Sequence, residues 1–192
     1  KLRLARDFQR ENAAAAVEAC EALSRRGYRI EKEAVLRGLA SVRWPGRLEL
    51  VGRSPAVVLD GAHNPGAAKE LSAALREYLP GRPLYYVMGI FADKDYREVI
   101  RRTVPLAENV VAVTAPGKRG LDREILRKTV EEETGKRAET AGSVREAVAV
   151  QARRAGNAGA VVVFGSFSIL KEAREAALEL TGKEKEGRDE GL

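Results

Sequence analysis

The 192-residue sequence is poor in the residues that most often announce chemistry. It holds one cysteine, Cys20, and one histidine, His63. An internal disulfide, a multi-cysteine zinc site and a histidine metal cluster are therefore excluded, and no metal ligand is assigned. Aromatic residues are 5% of the chain and are not interleaved with the basic ones as a single-strand stacking platform requires, so nucleic acid is not an expected partner. The longest apolar runs, such as 13–17 and 158–164, fall far short of the ~20 residues that cross a bilayer. The opening Lys1-Leu2-Arg3-Leu4 lacks the apolar stretch of a secretory signal. No membrane association and a cytoplasmic location are expected. Three familiar signatures are missing too. No Gly-x-x-x-x-Gly-Lys-[Ser/Thr] phosphate loop occurs, since Gly117-Lys118 runs into Arg119 and Gly182-Lys183 into Glu184. No Gly-x-Gly-x-x-Gly follows an apolar run, and no Gly-x-Ser-x-Gly elbow is present.

What is there suits a soluble globular chain: 44% hydrophobic and 32% charged residues, enough to build a sizeable core in one or two domains. The formal net charge of +6 is unevenly spread. Residues 1–53 carry 12 basic and 7 acidic side chains, a net +5, and the rest is almost neutral. A basic segment suits a phosphate-bearing ligand or a solvated surface equally well.

Two helices are predicted first. Ala13, Ala16, Val17, Cys20 and Leu23 fall at helical spacing within 12–26, with Gly27 as the stop, and Cys20 reads as a core residue of that face. Residues 31–39 form the second helix, and Pro45-Gly46 ends the segment. Strands and helices then alternate. Strands are expected at 48–51, 56–59, 84–90, 110–113, 137–140 and 160–164, with a hairpin-like turn over 52–55. Helices are expected at 65–78, 96–104, 121–134, 144–155 and 169–180. The order predicts an α/β fold: a Rossmann-like, mostly parallel sheet covered by helices on both faces, preceded by a short helical segment. Residues 184–192 read as a disordered tail.

Ligands of such sheets sit at the carboxyl ends of the strands. One end reads Leu59-Asp60-Gly61-Ala62-His63-Asn64-Pro65. Asn64 and Pro65 are explained as the cap and first residue of a helix. Asp60, a carboxylate at the end of a core strand, must be paired, solvated or used, either on a ribose hydroxyl or to orient an arginine. His63 stands beside it in the same loop. A second end carries Gly89 and the cluster Asp93-Lys94-Asp95, where Asp95 can cap the next helix and Lys94 can meet a phosphate or carboxylate. A third, Phe164-Gly165-Ser166-Phe167-Ser168, offers hydroxyls and backbone N–H groups to an anion, or a plain helix cap.

Taken together, Trp44-Pro45-Gly46-Arg47-Leu48-Glu49, Leu59-Asp60-Gly61-Ala62-His63-Asn64-Pro65, Gly89-Ile90-Phe91-Ala92-Asp93-Lys94-Asp95 and Phe164-Gly165-Ser166-Phe167 resemble the folylpolyglutamate synthase/dihydrofolate synthase branch of the Mur ligase superfamily. The resemblance implies that residues 1–43 are the helical end of a central ATPase domain and 44–183 a complete carboxyl-terminal domain. The phosphate loop, the Mg²⁺ ligands and most of the pterin pocket would then lie upstream. It implies ATP-dependent addition of L-glutamate to dihydropteroate or folates through an acyl phosphate, with ATP and Mg²⁺ as cofactors, and a chain that is inactive by itself. It also implies roles. Asn12 and Arg47 match nucleotide-contacting residues, Arg47 at the phosphates, and Asp60 matches an acid on the ribose side. His63 and Ser166 resemble glutamate-side residues. Asp93, Lys94 and Asp95 match a signature without an assigned role, and no residue is assigned as catalytic. Two departures stand out: Phe8 replaces a frequent histidine, and the stretch 115–120 lacks the usual Pro-Arg-Ala pattern. The full-length relatives imply a monomer, whereas this chain is expected to self-associate through residues 12–39. The competing expectations are a stand-alone, non-catalytic binding module of the same fold and a ligase acting on cell-wall precursors.

Overall fold

The computed structural model describes residues 7–42, 44–180 and 182, with the backbone alone for 7–9. The expected tail at 184–192, the Phe8 side chain and Arg43 at the expected domain boundary lie outside the described residues. The chain divides into two compact units that part between Pro45 and Gly46.

The first unit is a helical pair, α1 (Asp7–Arg25) and α2 (Lys32–Ser41). Alanine, the strongest helix former, fills the middle of α1. Gly27, in the left-handed region at φ 93°, stops it as expected. The expectation that Cys20 is a core residue needs correction, because it is only half-buried. Two short helices enclose little. No residue of α2 is fully buried, and Leu23, Tyr28 and Leu36 are exposed.

The second unit is built on six strands: β1 (Glu49–Arg53), β2 (Ala56–Leu59), β3 (Leu84–Met88), β4 (Ala107–Ala112), β5 (Ala138–Thr140) and β6 (Ala160–Phe164). Their order is β1-β2-β6-β3-β4-β5, with β1 antiparallel to β2 and every other pairing parallel. The β1–β2 turn is tighter than expected, at Ser54-Pro55, because Gly52 and Arg53 pair with Val57 and Ala56 and so extend β1. Five helices cover the sheet: α3 (Pro65–Tyr78), α4 (Tyr96–Thr103), α5 (Arg123–Thr134), α6 (Val144–Ala155) and α7 (Leu170–Leu180).

Alternation along the strands sorts the core into two layers. Val58, Tyr86, Met88, Val110, Val162 and Phe164 pack with Leu71 and Leu75 of α3, Val99 and Ile100 of α4 and Leu126 and Val130 of α5. Their neighbours Val57, Leu59, Val87, Val111, Val161 and Val163 pack with Ala147 and Val148 of α6 and Ala173 and Ala177 of α7. The chain therefore leaves β2 towards one face and the adjacent β6 towards the other. That divergence opens a crevice at their carboxyl ends, the topological switch point of an open α/β sheet.

Candidate functional site

The crevice is built from backbone first. After β2, the N–H of Asp60 bonds the carbonyl of Val163, and Gly165 N–H bonds that of Ala62, so the two strand ends are laced together. On the other side of β6, Gly165 lies so close to Gly89 that an added Cβ would meet the Gly89 oxygen at 2.5 Å. The polar strand ends expected after β2, β6 and β3 are thus contiguous.

Arg47 stands on a turn held by two buried carboxylates. Asp60, 1% exposed, accepts the Leu48 N–H at 2.9 Å and the Ala62 N–H at 2.8 Å. Glu49 accepts the Gly46 N–H at 2.7 Å and is ion-paired to Arg174 of α7, with an Nη2–Oε2 distance of 2.5 Å. The Gly61 N–H donates to the Gly46 carbonyl at 2.7 Å. This clamping keeps Leu48 in the left-handed region at φ 47°, a conformation that costs a non-glycine residue of order 1–3 kcal/mol. Backbone strain sits directly beside the arginine. Asp60 thus fixes the main chain of the turn that carries Arg47.

Phe167 is the hub of the side chains. The Arg47 guanidinium lies over its ring, 5.4 Å from the centroid. The His63 ring meets it edge-on at 6.3 Å. His63 Nδ1 is 2.7 Å from the Gly61 carbonyl oxygen. A carbonyl only accepts, so Nδ1 is the donor in this contact, which makes Nε2 the acceptor nitrogen of the neutral tautomer. Ser166, buried, caps the 3₁₀ turn 167–169: its Oγ accepts the Ser168 N–H and lies 2.7 Å from the Ser168 hydroxyl.

The end after β3 adjoins the crevice at Gly89, but its charged residues make contacts of their own. Asp95 caps α4 through the Glu98 N–H at 3.2 Å, the plainer of its two readings. Asp93 is ion-paired to Arg119 at 3.3 Å, and Arg119 stacks over Phe91 at 4.5 Å. Lys94 is half-buried and makes no ion pair with a described residue. The 115–120 stretch, to which the sequence assigns no role, is tied down here: the Ala92 N–H bonds the Arg119 carbonyl, and just beyond it the Leu121 N–H bonds that of Ile90. Asn64 caps α3 through the Ala67 N–H, as its position implies. Asn12 is an exposed residue of α1 in the first unit. Among the described residues, no group of three His, Cys, Asp or Glu side chains could hold a metal ion.

The structure thus brings Arg47, Asp60, His63 and Ser166 into one crevice. Phe167 carries no flag in the sequence beyond standing next to Ser166. The available signal is an aromatic residue in a chain with few, placed at a strand-end turn rather than at a core position.

A family model described as "Mur ligase, glutamate ligase domain" matches residues 46–167, from the first residue of the sheet unit to the hub phenylalanine. A probable bifunctional folylpolyglutamate synthase/dihydropteroate synthase of Haloferax volcanii is 40% identical over 145 residues, which are 76% of this chain and 17% of that protein. Among solved structures, Mycobacterium tuberculosis folylpolyglutamate synthase complexed with ADP and AMPPCP superposes with a TM-score of 0.80 at 30% identity, over 96% of this chain and 42% of that one. Escherichia coli FolC in complex with DHPP and ADP gives a TM-score of 0.74 at 28% identity, over 85% and 38%. The chain spans less than half the length of each of these proteins.

Proposed function

Because this chain belongs to the Mur ligase family through its glutamate ligase domain, in the folylpolyglutamate synthase/dihydrofolate synthase branch, we propose that it supplies the nucleotide- and glutamate-facing side of an ATP-dependent ligase. The reaction joins L-glutamate to dihydropteroate, to a folate, or to both. The acceptor carboxylate attacks the γ-phosphorus of ATP, ADP leaves, and an acyl phosphate forms. The glutamate amine then attacks the acyl carbon. A C–N bond forms, the C–O bond to phosphate breaks with its electron pair, and the amine gives up a proton.

Each crevice residue suits a part of that sequence. The Arg47 fork offers bidentate hydrogen bonds to phosphate oxygens, a geometry lysine would not reproduce. It is held ready on its clamped turn, which reduces the cost of ordering it when the nucleotide arrives. The His63 Nε2 acceptor suits the ammonium of glutamate, and Ser166 lies beside it on the next strand end. Asn12 remains a candidate for nucleotide contact and Lys94 for a phosphate or carboxylate, while Asp93 and Asp95 carry no assigned ligand. The divalent cation that accompanies ATP has no three-residue group to hold it among the described residues, and no step is assigned to it. In this reading residues 1–43 belong with the ATPase part, and the Pro45-Gly46 junction lets closure carry Arg47 onto the phosphates.

The observation that carries the reading is Arg47, fixed on a strained turn by two buried carboxylates at the switch point of the sheet. In the full-length ligase, Arg47→Ala should lower kcat/KM roughly 100-fold with the melting temperature little changed. Wild-type turnover in that variant would remove Arg47 from the mechanism. The 192-residue chain alone, which contains no phosphate loop, should show negligible glutamate-dependent ATP hydrolysis; robust hydrolysis would overturn its reading as one side of a larger site. A panel of dihydropteroate, tetrahydrofolate and muramyl precursors separates this assignment from a cell-wall ligase.

A further inference from the structure

We infer that Phe167 is a positioning residue, whose ring sets the Arg47 guanidinium and the His63 imidazole relative to each other. The inference rests on the ligase reading for its kinetic consequence and on geometry alone for its premise. Phe167 is 43% exposed and belongs to neither apolar layer of the core, so burial does not account for it. The site is nonetheless shaped around its ring. A Cβ on Gly61 would lie 2.1 Å from Phe167 Cζ, and a Cβ on Gly46 would lie 3.2 Å from its Cε1. Both flanking turns therefore leave room that the ring fills. The ring's face takes the guanidinium, and the ring meets the imidazole in an inclined, T-shaped contact, both arrangements that an aromatic quadrupole favours. The turn that carries the ring is pinned by the Ser166 hydroxyl on the Ser168 N–H. One side chain thus joins the phosphate-side cation to the glutamate-side imidazole. Leucine would fill much of the space but offers no aromatic quadrupole.

The test uses Phe167→Leu and Phe167→Tyr, since a half-exposed position tolerates both without loss of the fold. In the 192-residue chain, the Arg47 Nε–H resonance should be shifted upfield by the ring current. The shift should vanish in Phe167→Leu and persist in Phe167→Tyr. In the full-length ligase, Phe167→Leu should lower kcat/KM for ATP and for glutamate by roughly fivefold each, with Phe167→Tyr within about twofold of wild type. In an Arg47→Ala background, Phe167→Leu should have no further effect on the ATP parameter. An unchanged Arg47 resonance in Phe167→Leu, or a fully additive double variant, would overturn the inference. If Arg47→Ala alone turns over like wild type, the ligase reading of Arg47 falls, and the resonance still decides whether the ring positions it.

Discussion

At the scale of single residues, the site depends on backbone groups that side chains hold in place. Asp60→Ala leaves the N–H groups of Leu48 and Ala62 without their carboxylate. It should cost about 2–3 kcal/mol in chemical denaturation and release the strained turn that presents Arg47. Gly61→Ala tests the seat of Phe167 differently. The atom it meets is the tip of a half-exposed ring that can swing outward. Its expected cost is only about 1 kcal/mol, with loss of the Arg47 ring-current shift; a retained shift would show that the seat is not needed. Tyr86 is the opposite kind of residue, buried with a hydroxyl that finds no hydrogen-bond partner among the described residues. Tyr86→Phe should leave stability unchanged or raise it by about 1 kcal/mol at neutral pH. Burial pushes the Tyr86 phenol well above its ordinary ionisation range, with Arg76 partly opposing. The unfolded chain then loses this proton first, near pH 10, while the folded chain keeps it. Wild-type stability should fall above about pH 10 by up to roughly 1.4 kcal/mol per pH unit from this group. The Tyr86→Phe variant has no phenol and lacks that contribution. Denaturation of both proteins at pH 9 and pH 11 should therefore show the gap widening in favour of the variant.

At the scale of elements, local chemistry and close approach divide the work. Caps are local and so legible: Asn64 and Asp95, read as caps, each accept an N–H of the first turn, while Ser143 and Asp122, not singled out in the sequence, cap α6 and α5, the latter starting two residues later than read. Asp95 bears on the site because it belongs to the Asp93-Lys94-Asp95 cluster. Asp95→Ala should destabilise by about 1 kcal/mol and Asp95→Ser much less. Full ligase turnover in Asp95→Ser would confine this residue to capping; lost turnover at preserved stability would assign it a ligand. Gly165 shows what spacing cannot reveal. It sits at φ 109° against the Gly89 carbonyl, where β6 and β3 end side by side. Because the obstacle is backbone, Gly165→Ala should be among the most damaging single changes, at about 3 kcal/mol or more in thermal or chemical melts. Strand ends were less legible than helix starts. The β3 run is read to residue 90, yet β3 ends at Met88: the Gly89 N–H bonds the Phe164 carbonyl, and the Ile90 carbonyl turns to accept the Leu121 N–H.

At the scale of the whole molecule, both apolar layers draw their buried residues from Leu48 onward. Residues 46–192 should therefore melt cooperatively, within a few degrees of the whole chain; a non-cooperative transition would show that the helical pair is part of the folding unit. The uneven charge gains a sharper meaning. Among the described basic residues of the first 53, Arg47 is the one placed in the crevice, and it belongs to the sheet unit. The sequence by itself determined the alternation of strands and helices, the helix caps, the absence of a phosphate loop and the family. Each of these is written in local periodicity or in short motifs whose residues are neighbours in the chain. Only the tertiary structure decided that β6 inserts between β2 and β3, and hence which strand ends share a crevice. It alone showed that Asp60 and Glu49 clamp the turn of Arg47, and that Phe167 joins Arg47 to His63. The last relation links residues 120 positions apart. Strand pairing and side-chain packing set such relations, and no local propensity records either.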